Sequence, residues 1–480
     1  MSLAPRALLG SAAFLFLGIL ATVADTSPPP RAPMPPADNQ KLAHDILAEI
    51  VAVHSVHAVG TKGVEDILVR YFKANGFADS DIHELADPKY PHQVNVVVRL
   101  HGKGKGKPIL WYGHMDVVEA KPEDWSLPPF KLTEKDGYYY GRGTSDMKDQ
   151  DAAVAAALIR VKKEGFVPDR DIIAAFTADE EVGEEQDGLW YLLRAHRDLI
   201  DAEMMINPDG DSGEIVNGKR LDFGVETSEK TYATFTMTVT NKGGHSSEPR
   251  PDNAIYQLAN ALVRLSKYQF PYETNATTRL YFAKQAEKEK GQRRADMLTL
   301  AKGGNNADQA AAARLAHDVP LNAILHTTCV ATMLSAGHQE NALAQRAQAT
   351  VQCRIFPDES VERTRQTLIK VIADPAVAVK GLGLVTFAPE SPPQPKLMAT
   401  VEKVVHSMWP GVPVIPNMSA GASDSIFARN AHLPAYGISG SWIDIHDIRA
   451  HGRDERREKG AFYESVEFTY RLMKELSKGQ

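Results

Sequence analysis

The sequence has few cysteines and no long basic run, and both shortages narrow the classes of function open to it. Cys329 and Cys353 are the two cysteines in 480 residues, so a thiolate metal cage is excluded and at most one disulfide can form. Both lie in strand-like runs, where two buried free thiols explain them at least as well as a bridge does. A net charge of -7, without a cluster of Lys and Arg, argues against a nucleic-acid partner.

Long hydrophobic runs are also missing, except at the N-terminus. There Arg6 precedes an apolar segment from Ala7 to Ala24, which predicts a signal peptide over residues 1–24 and a secreted or periplasmic protein. An uncleaved membrane anchor is the alternative, because the run is about long enough to span a bilayer. The prolines between Pro28 and Pro36 then predict an extended tether over residues 25–38.

The rest of the chain has the composition of a soluble globular protein. Hydrophobic residues make up 43% of it and charged residues 24%, and the length predicts two domains, one of which can be inserted in the other. No Gly-x-Ser-x-Gly segment is present, so hydrolysis by an activated serine lacks its usual signature.

Three apolar, strand-like runs each stop at side chains that bind metals. The runs are 109–112, 171–177 and 203–207, and the side chains that follow them are His114 with Asp116, Glu180 with Glu181, and Asp209. The carboxyl ends of strands in an open α/β sheet meet at one edge, so we expect these groups in one crevice. Taken singly, a surface loop explains the first pair and solvated acids explain the second.

A fourth acidic group follows a glycine-rich turn. Gly141 and Gly143 precede Asp146, which lies where an alanine-rich helix is predicted to begin. A helix-capping role is the simpler explanation of Asp146 alone. Carboxylates and imidazole without thiolate suit Zn, Co or Mn, and several acids together suggest two ions that share a bridging carboxylate.

Seven segments together resemble the signatures of the dizinc metallopeptidase family M20, which contains aminoacylases, carboxypeptidases of the G and S types, and dipeptidases. In chain order they are 113–118, 141–148, 179–181, 243–247, 354–357, 421–424 and 451–455. They follow the family's order and extend over almost everything after the tether. Each segment alone is weak, but the set is specific.

The resemblance implies roles for individual residues. The implied metal ligands are His114, Asp146 as the bridge, Glu181, Asp209 and His451, and the implied metals are two divalent ions, with Zn preferred over Co or Mn. Asp116 would orient His114, and Glu180 would be the general base that takes a proton from a metal-bridging water, whose hydroxide attacks the substrate carbonyl. His245 would stabilise the oxyanion, and the implied substrate-binding residues are Arg354, Asn341, Gly421 and Ser423. Without the resemblance, a surface salt bridge explains Arg354 and a turn explains His245.

The sequence departs from the family pattern at a few positions. Asp149 stands where the family usually has glycine, which could alter the start of the helix. Asp211 competes with Asp209 as a ligand, and His446 competes with His451, although His451 alone lies in a His-Gly-x-Asp-Glu segment.

The fold that the resemblance implies is α/β. It has a catalytic domain with a doubly wound mixed sheet, predicted over 39–229 and 386–480, and an inserted α+β, ferredoxin-like lid over 230–385 through which dimers form. Period-two alternation from Thr231 to Asn241 independently indicates an antiparallel strand with one exposed face. The basic residues within 272–320 predict solvated helix faces, and a cover over the substrate entrance is the alternative.

These observations predict a metal-dependent hydrolase that cuts an amide bond beside a free carboxylate and releases an amino acid. Its substrate would be a small peptide. The alternatives are an N-acyl amino-acid amidohydrolase with the same catalytic groups and, from another class, a metal-containing binding protein without turnover. Glu180 argues against the binding protein, since metal binding needs no base beside the ligand Glu181.

Overall fold

The computed structural model describes residues 32–210, 212–304, 307–383 and 387–479. The predicted signal peptide and anchor, the first half of the tether (residues 25–31) and the rival ligand Asp211 lie outside these ranges. No described helix is both long and apolar enough to cross a membrane. All elements below belong to the unit that begins at Pro33.

The helices are α1 Ala37–Val51, α2 Lys62–Ala74, α3 Lys148–Lys163, α4 Gly188–Ala195, α5 Arg197–Ile200, α6 Ala254–Ser266, α7 Ala276–Gln285, α8 Gly291–Lys302, α9 Gln309–Leu315, α10 Val319–Leu325, α11 Val361–Ile372, α12 Pro395–Met408, α13 Ser425–Asn430 and α14 Lys459–Leu476. Helix α1 begins inside the predicted tether, because the carbonyl of Pro36 accepts hydrogen bonds from the N–H groups of Asn39 and Gln40, each at 2.9 Å.

The strands are β1 Ile82–Ala86, β2 Val94–Leu100, β3 Ile109–His114, β4 Thr133–Lys135, β5 Tyr138–Tyr140, β6 Ile172–Thr177, β7 Met204–Asn207, β8 Gly213–Val216, β9 Lys219–Glu229, β10 Thr231–Thr240, β11 Gly244–His245, β12 Thr328–Ala336, β13 Ala342–Leu343, β14 Arg346–Ile355, β15 Val377–Leu382, β16 Val414–Ser419, β17 Ala435–Gly437, β18 Trp442–Asp444 and β19 Arg456–Glu458.

A large mixed sheet contains the three strands after which the metal-binding residues were predicted. Its order is β1-β2-β6-β3-β7-β17-β9-β8-β18, with β16 paired to β9. Strand β3 runs parallel to both β6 and β7, whereas β2 is antiparallel to β6. The predicted α/β class with a mixed sheet is therefore confirmed.

Helices cover both faces of this sheet. On one face, Leu110 and Tyr112 of β3 pack with residues of α4 and α13 in one apolar cluster. Side chains alternate along a strand, so Gly113 faces the opposite side, where α3 lies. The approach is close, since a Cβ atom on Gly113 would lie 2.0 Å from Oδ1 of Asp151. Glycine at this position lets α3 pack directly behind the metal-binding loops.

A second sheet follows β9 directly. It has the order β12-β14-β10-β15, and all its pairings are antiparallel. With α6 and α11 the chain order is β-α-β-β-α-β, the ferredoxin-like arrangement that the resemblance implied. The apolar residues of the alternating strands β10 and β14 pack in one cluster with α6 and α11.

The two cysteines form a disulfide between neighbouring strands of this second sheet. Cys329 of β12 lies directly opposite Cys353 of β14, and their Cα atoms are 4.1 Å apart. The alternative of two free thiols is therefore wrong. The sequence left it open because the pairing of β12 with β14 is not encoded in either strand.

Helices α7 to α10 form a small subdomain with its own core. Phe282, Met297 and Leu315 pack there with Phe356, just after β14, and with Met418 of β16. The basic residues Lys284, Lys288, Lys290 and Arg294 remain exposed, as the charge pattern predicted. The helices thus rest on elements of both sheets while keeping a solvated outer surface.

Candidate metal centre and active site

The predicted metal-binding residues converge because three parallel strands end at the same edge. His114 is the last residue of β3, Glu180 and Glu181 follow β6, and Asp209 follows β7. Ligand atoms of His114, Glu180 and Asp209 lie within 4.8 Å of one another, and the same holds for His114, Asp146 and Glu181.

Asp146 lies between two imidazoles. Its Oδ1 is 3.2 Å from Nε2 of His114, and its Oδ2 is 3.0 Å from Nε2 of His451. Helix α3 begins only at Lys148 and has no side-chain cap at Met147, so Asp146 does not have the capping role considered above. A carboxylate whose two oxygens face different ligands is suited to bridge two cations.

His451 reaches the cluster from a loop far along the chain. Its Nε2 lies 2.9 Å from one oxygen of Glu181 and 3.1 Å from the other. The rival His446 is exposed, and its backbone N–H donates to Asp444 (2.9 Å). The structure therefore brings His451 to the acidic cluster.

The imidazole and carboxylate atoms of this cluster are suitable ligands for divalent metal ions. Nε2 of His114 is fully buried and has no hydrogen-bond partner among the described residues, although carboxylate oxygens lie near it. A buried nitrogen without a partner is costly unless a ligand satisfies it. Nδ1 of the same ring lies 3.2 Å from the carbonyl oxygen of Asp116, which leaves Nε2 as the ligand atom.

The electrostatics of the cluster indicate excess negative charge. Burial, together with the charge of Asp146, raises the pKa of Asp209 to about 8. Burial also raises the pKa of Glu180 well above its usual range. Hydrogen bonds to Asp146 and Glu181 raise the pKa of His451 to about 10. Without cations the cluster holds extra protons, and divalent metals would take their place.

Asp116 supports the cluster without belonging to either group of ligand atoms. Its carboxylate accepts the backbone N–H groups of Glu180 at 3.2 Å and of Glu181 at 3.1 Å. One oxygen also lies 3.5 Å from Nδ1 of His114. A single buried carboxylate thus fixes the imidazole and the acidic loop relative to each other.

Arg142 and Glu455 form a buried ion pair whose role the sequence did not reveal. Glu455 accepts the backbone N–H groups of Ser145 at 2.7 Å and of Asp146 at 3.2 Å, and Arg142 donates to the carbonyl of Gly452 at 3.2 Å. Antiparallel pairing of β5 with β19 brings the two loops together. Arg142 lies in the family segment 141–148 and Glu455 in the segment 451–455. Their opposite charges were the feature of the sequence that could have indicated an ion pair.

Asp149, the departure after Asp146, is also paired. Its Oδ2 accepts from Nε of Arg457 at 2.9 Å, and both side chains are buried. Helix α3 still begins at Lys148. Aspartate in place of the family's usual glycine therefore leaves the start of the helix intact and adds an ion pair to Arg457 of β19.

A cavity of about 290 Å³ opens beside the cluster. Asp146, Glu180, Glu181, Asp209 and His451 line it on the metal side, and Gly421 and Ser423, the predicted substrate-binding residues, are among its remaining lining residues.

Three predicted residues are absent from the described lining of this cavity. His245 is exposed and hydrogen-bonds Ser247 (2.7 Å), while the backbone of Asn341 accepts from Ser246 (3.0 Å). The Arg354 guanidinium lies over the ring of Tyr232, 4.8 Å from its centroid. Within one chain, these residues are not brought to the cavity.

Comparison with known proteins identifies the class. The model of peptidase family M20/M25/M40 matches residues 110–475, so the chain belongs to this family, as the resemblance predicted. It is an enzyme, a metal-dependent hydrolase that cleaves amide bonds and releases amino acids.

Two named relatives are each less than 30% identical to this chain. Over 377 residues the chain is 29% identical to the human N-fatty-acyl-amino acid synthase/hydrolase PM20D1, covering 76% of this chain and 74% of that protein. It is 28% identical to the probable carboxypeptidase S-like 2 of Dictyostelium discoideum, covering 78% and 72%.

Solved structures share the fold. The M20 family metallo-carboxypeptidase Sso-CP2 from Sulfolobus solfataricus has a TM-score of 0.69 at 18% identity, covering 91% of this chain and 99% of that chain. The dipeptidase Dug1p from Saccharomyces cerevisiae has a TM-score of 0.65 at 15% identity, covering 92% and 96%.

Proposed function

We propose that the protein is an exopeptidase of the carboxypeptidase or dipeptidase type, which cuts the amide bond next to a free carboxylate. The arrangement of Glu180 carries the proposal. Glu180 lines the cavity beside the acids that face the two imidazoles, and its pKa is raised by burial. A carboxylate so placed can accept a proton and return it, which binding a metal alone does not require.

The proposed cofactors are two divalent ions, with zinc preferred and cobalt or manganese as alternatives. His114 and Asp209 would hold one ion, Glu181 and His451 the other, and Asp146 both, in keeping with its two imidazole neighbours. When bound, such ions polarise the scissile carbonyl and make water more acidic. Glu180 takes the proton from the attacking water and delivers it to the leaving nitrogen, while Asp116 holds the loop that carries Glu180.

The second candidate is an N-acyl amino-acid amidohydrolase. It is favoured by the relatives named N-fatty-acyl-amino acid synthase/hydrolase, which match about three quarters of this chain. The cavity favours the peptidase, since its lining beyond the metal side consists of small or polar residues: Gly210, Glu226, Asn417, Ser419, Gly421, Ala422 and Ser423. A long apolar chain would find little apolar surface there.

A homodimer formed through the second sheet completes this proposal. Strand β12 is an edge strand, and its Val330, Met333 and Leu334 are exposed, as are Ile255 and Tyr256 of α6. Exposed apolar side chains on an unpaired edge favour pairing with another copy. His245 of one subunit would then serve the other subunit's cavity, with Arg354 at the substrate carboxylate.

The proposal includes export of the protein from the cytoplasm. The apolar N-terminal segment supports secretion, and a disulfide persists in oxidising compartments. The protein would act outside the cytoplasm, free after cleavage of the segment or anchored to a membrane by it.

Amino-acid release from dipeptides and N-acyl amino acids tests the proposal. We expect release with Zn or Co, its loss with a chelator, and faster cleavage of dipeptides than of long-chain acyl substrates. Preference for long acyl chains would select the amidohydrolase. Metal-independent release would contradict both candidates.

A further inference from the structure

The turn that carries Glu180 and Glu181 begins at a buried aspartate, Asp179. The backbone carbonyl of Asp179 accepts the N–H of Gly183 at 2.9 Å, so residues 179–183 are closed into one turn. The φ angle of Asp179 is 62°, a left-handed conformation that is uncommon outside glycine and persists where the surrounding structure supports it. The contacts of the Asp179 side chain therefore bear on the position of the whole turn.

His57 is the partner of the Asp179 side chain. Nδ1 of its ring lies 3.1 Å from each of the two carboxylate oxygens. Burial raises the pKa of Asp179 to about 6, so the carboxyl group is ionised at pH 8. An ionised carboxylate only accepts hydrogen bonds, and Nδ1 is then the donor. The side chain of His57 is 47% exposed, so this contact connects the surface to the buried start of the turn.

The segment that contains His57 is anchored beside the loop that follows β3. Oγ of Ser55 donates to the carbonyl of Met115 at 2.7 Å, and the N–H of Val117 donates to the carbonyl of Ser55 at 3.1 Å. Nε2 of the buried Gln93 donates to the carbonyl of His57 at 2.8 Å. His57 thus extends from a fixed backbone and joins the loop after β3 to the turn after β6.

We infer that His57 is a positioning residue, which acts through Asp179 to hold the turn that carries the proposed base Glu180. The inference rests on the proposed function. His57 is absent from the described cavity lining and from the described groups of potential ligand atoms, so it acts at a distance from the substrate. Glu180 has to reach both the attacking water and the leaving nitrogen, and a small displacement of such a group slows the reaction. Asp116 also holds the turn, so loss of His57 should loosen the turn without unfolding it.

Two replacements of His57 separate its hydrogen bond from its bulk. His57→Ala removes the donor, and His57→Asn supplies another, because the amide nitrogen of asparagine lies about as far from the backbone as Nδ1 does. For the zinc-loaded proteins at pH 8, kcat and KM are measured on whichever dipeptide or N-acyl amino acid the wild type cleaves fastest. We expect His57→Ala to lower kcat about tenfold with little change in KM, and His57→Asn to recover most of the loss.

Hydrogen exchange provides a readout that does not depend on turnover. In the metal-free protein, the backbone amides of residues 180–183 should exchange about tenfold faster in His57→Ala than in the wild type, because the turn has lost one of its supports. His101→Ala is the matched control. His101 forms a surface contact with Asp81 at 3.2 Å, just after the end of β2 that pairs with the start of β6, away from the cavity. It should change neither kcat nor the exchange of the turn.

A double variant shows whether His57 acts through Asp179. Asp179→Gly removes the carboxylate but supplies a residue that adopts a positive φ without strain. If the imidazole acts only through that carboxylate, the variant with both changes should have the kcat of Asp179→Gly alone.

A wild-type kcat or unchanged exchange in folded His57→Ala overturns the inference alone, as do losses in kcat that multiply in the double variant. Should His57→Ala fail to fold, His57→Phe, which keeps a ring without a donor, takes its place in the comparison with His57→Asn. Release of no amino acid by the zinc-loaded wild type overturns the proposed function, and the inference with it.

Discussion

Glu180 and Glu181 are adjacent in sequence, yet their surroundings assign them different work. Both oxygens of Glu181 lie close to Nε2 of His451, whereas Oε2 of Glu180 lies 3.9 Å from Nε2 of His114. Both backbone N–H groups donate to Asp116, so the backbone from which the two side chains extend is held in place. Both residues line the cavity, but Glu180, which is not engaged by His451, is suited to move protons, and Glu181 is suited to hold metal.

Replacing Glu180 by glutamine should separate these roles. We expect Glu180→Gln to keep its metal and lose about a thousandfold in kcat, because the amide cannot accept the proton. Glu181→Gln should instead lose metal. Metal content by mass spectrometry and amino-acid release measure the two effects. Near-normal turnover in Glu180→Gln would remove it from the role of base.

The buried pair Arg142 and Glu455 yields a second prediction. Glu455→Gln leaves Arg142 buried without its counter-charge, so we expect a loss of about 3 kcal/mol or more in stability. Because Glu455 also holds the backbone at Asp146, metal affinity should fall about tenfold or more. Denaturant unfolding and metal titration check the two effects.

Exposed Glu402→Gln provides the matched control for Glu455→Gln, since it removes the same charge from the surface. If Glu455→Gln is destabilised but its metal affinity is unchanged, the ion pair of Arg142 and Glu455 stabilises the fold without positioning Asp146.

At the scale of elements, the sequence predicted what is locally encoded. The apolar runs that become β3, β6 and β7 and their abrupt ends predicted where His114, Glu180 and Asp209 would lie. The fold class also followed from these runs and the family segments. Local pattern suffices there because each strand end carries its own side chains to the shared edge.

Contacts between distant segments could not be predicted in this way. Arg142 meets Glu455 across 313 positions of sequence, through the pairing of β5 with β19. Cys329 meets Cys353 through strand register, which neither strand specifies alone. The helices α7 to α10 showed their charged faces in the sequence, but their packing on Met418 depends on a strand about a hundred positions later.

Strand β12 supports a prediction about assembly. Leu334 is 67% exposed on this edge strand, so Leu334→Lys should place charge in the proposed interface and shift the protein to monomers. Val319→Lys on α10, at an 80% exposed position, is the matched control and should leave the dimer intact. Light scattering gives the mass of each. A wild type that is monomeric at micromolar concentration would contradict the interface.

For the whole molecule, the connection between the sheets determines how the second sheet can serve the cavity. Strand β9 contributes Glu226 to the cavity lining and leads into β10 through Lys230. Lys230 is buried, and its Nζ donates to the carbonyls of Ala323 and His326, each at 2.8 Å. This junction ties the second sheet to the small helical subdomain as it leaves the large sheet.

The same architecture separates His245 from the cavity lining of its own chain. β11, which contains His245, pairs with β13, and the histidine remains exposed. If a partner's His245 completes the site, each active site needs residues from two chains. A heterodimer can then hold one intact site even when both parent proteins are inactive.

Mixing two inactive variants tests this shared site. His245→Ala lacks the proposed oxyanion donor and Glu180→Gln lacks the base, so we expect each homodimer to be inactive. A heterodimer combines one subunit's Glu180 with the other's His245 in a single site. About a quarter of wild-type activity should therefore return, since random exchange makes half the dimers mixed, each with one of two sites intact. Differently tagged subunits confirm exchange, and heterodimers without activity would show that each chain works alone.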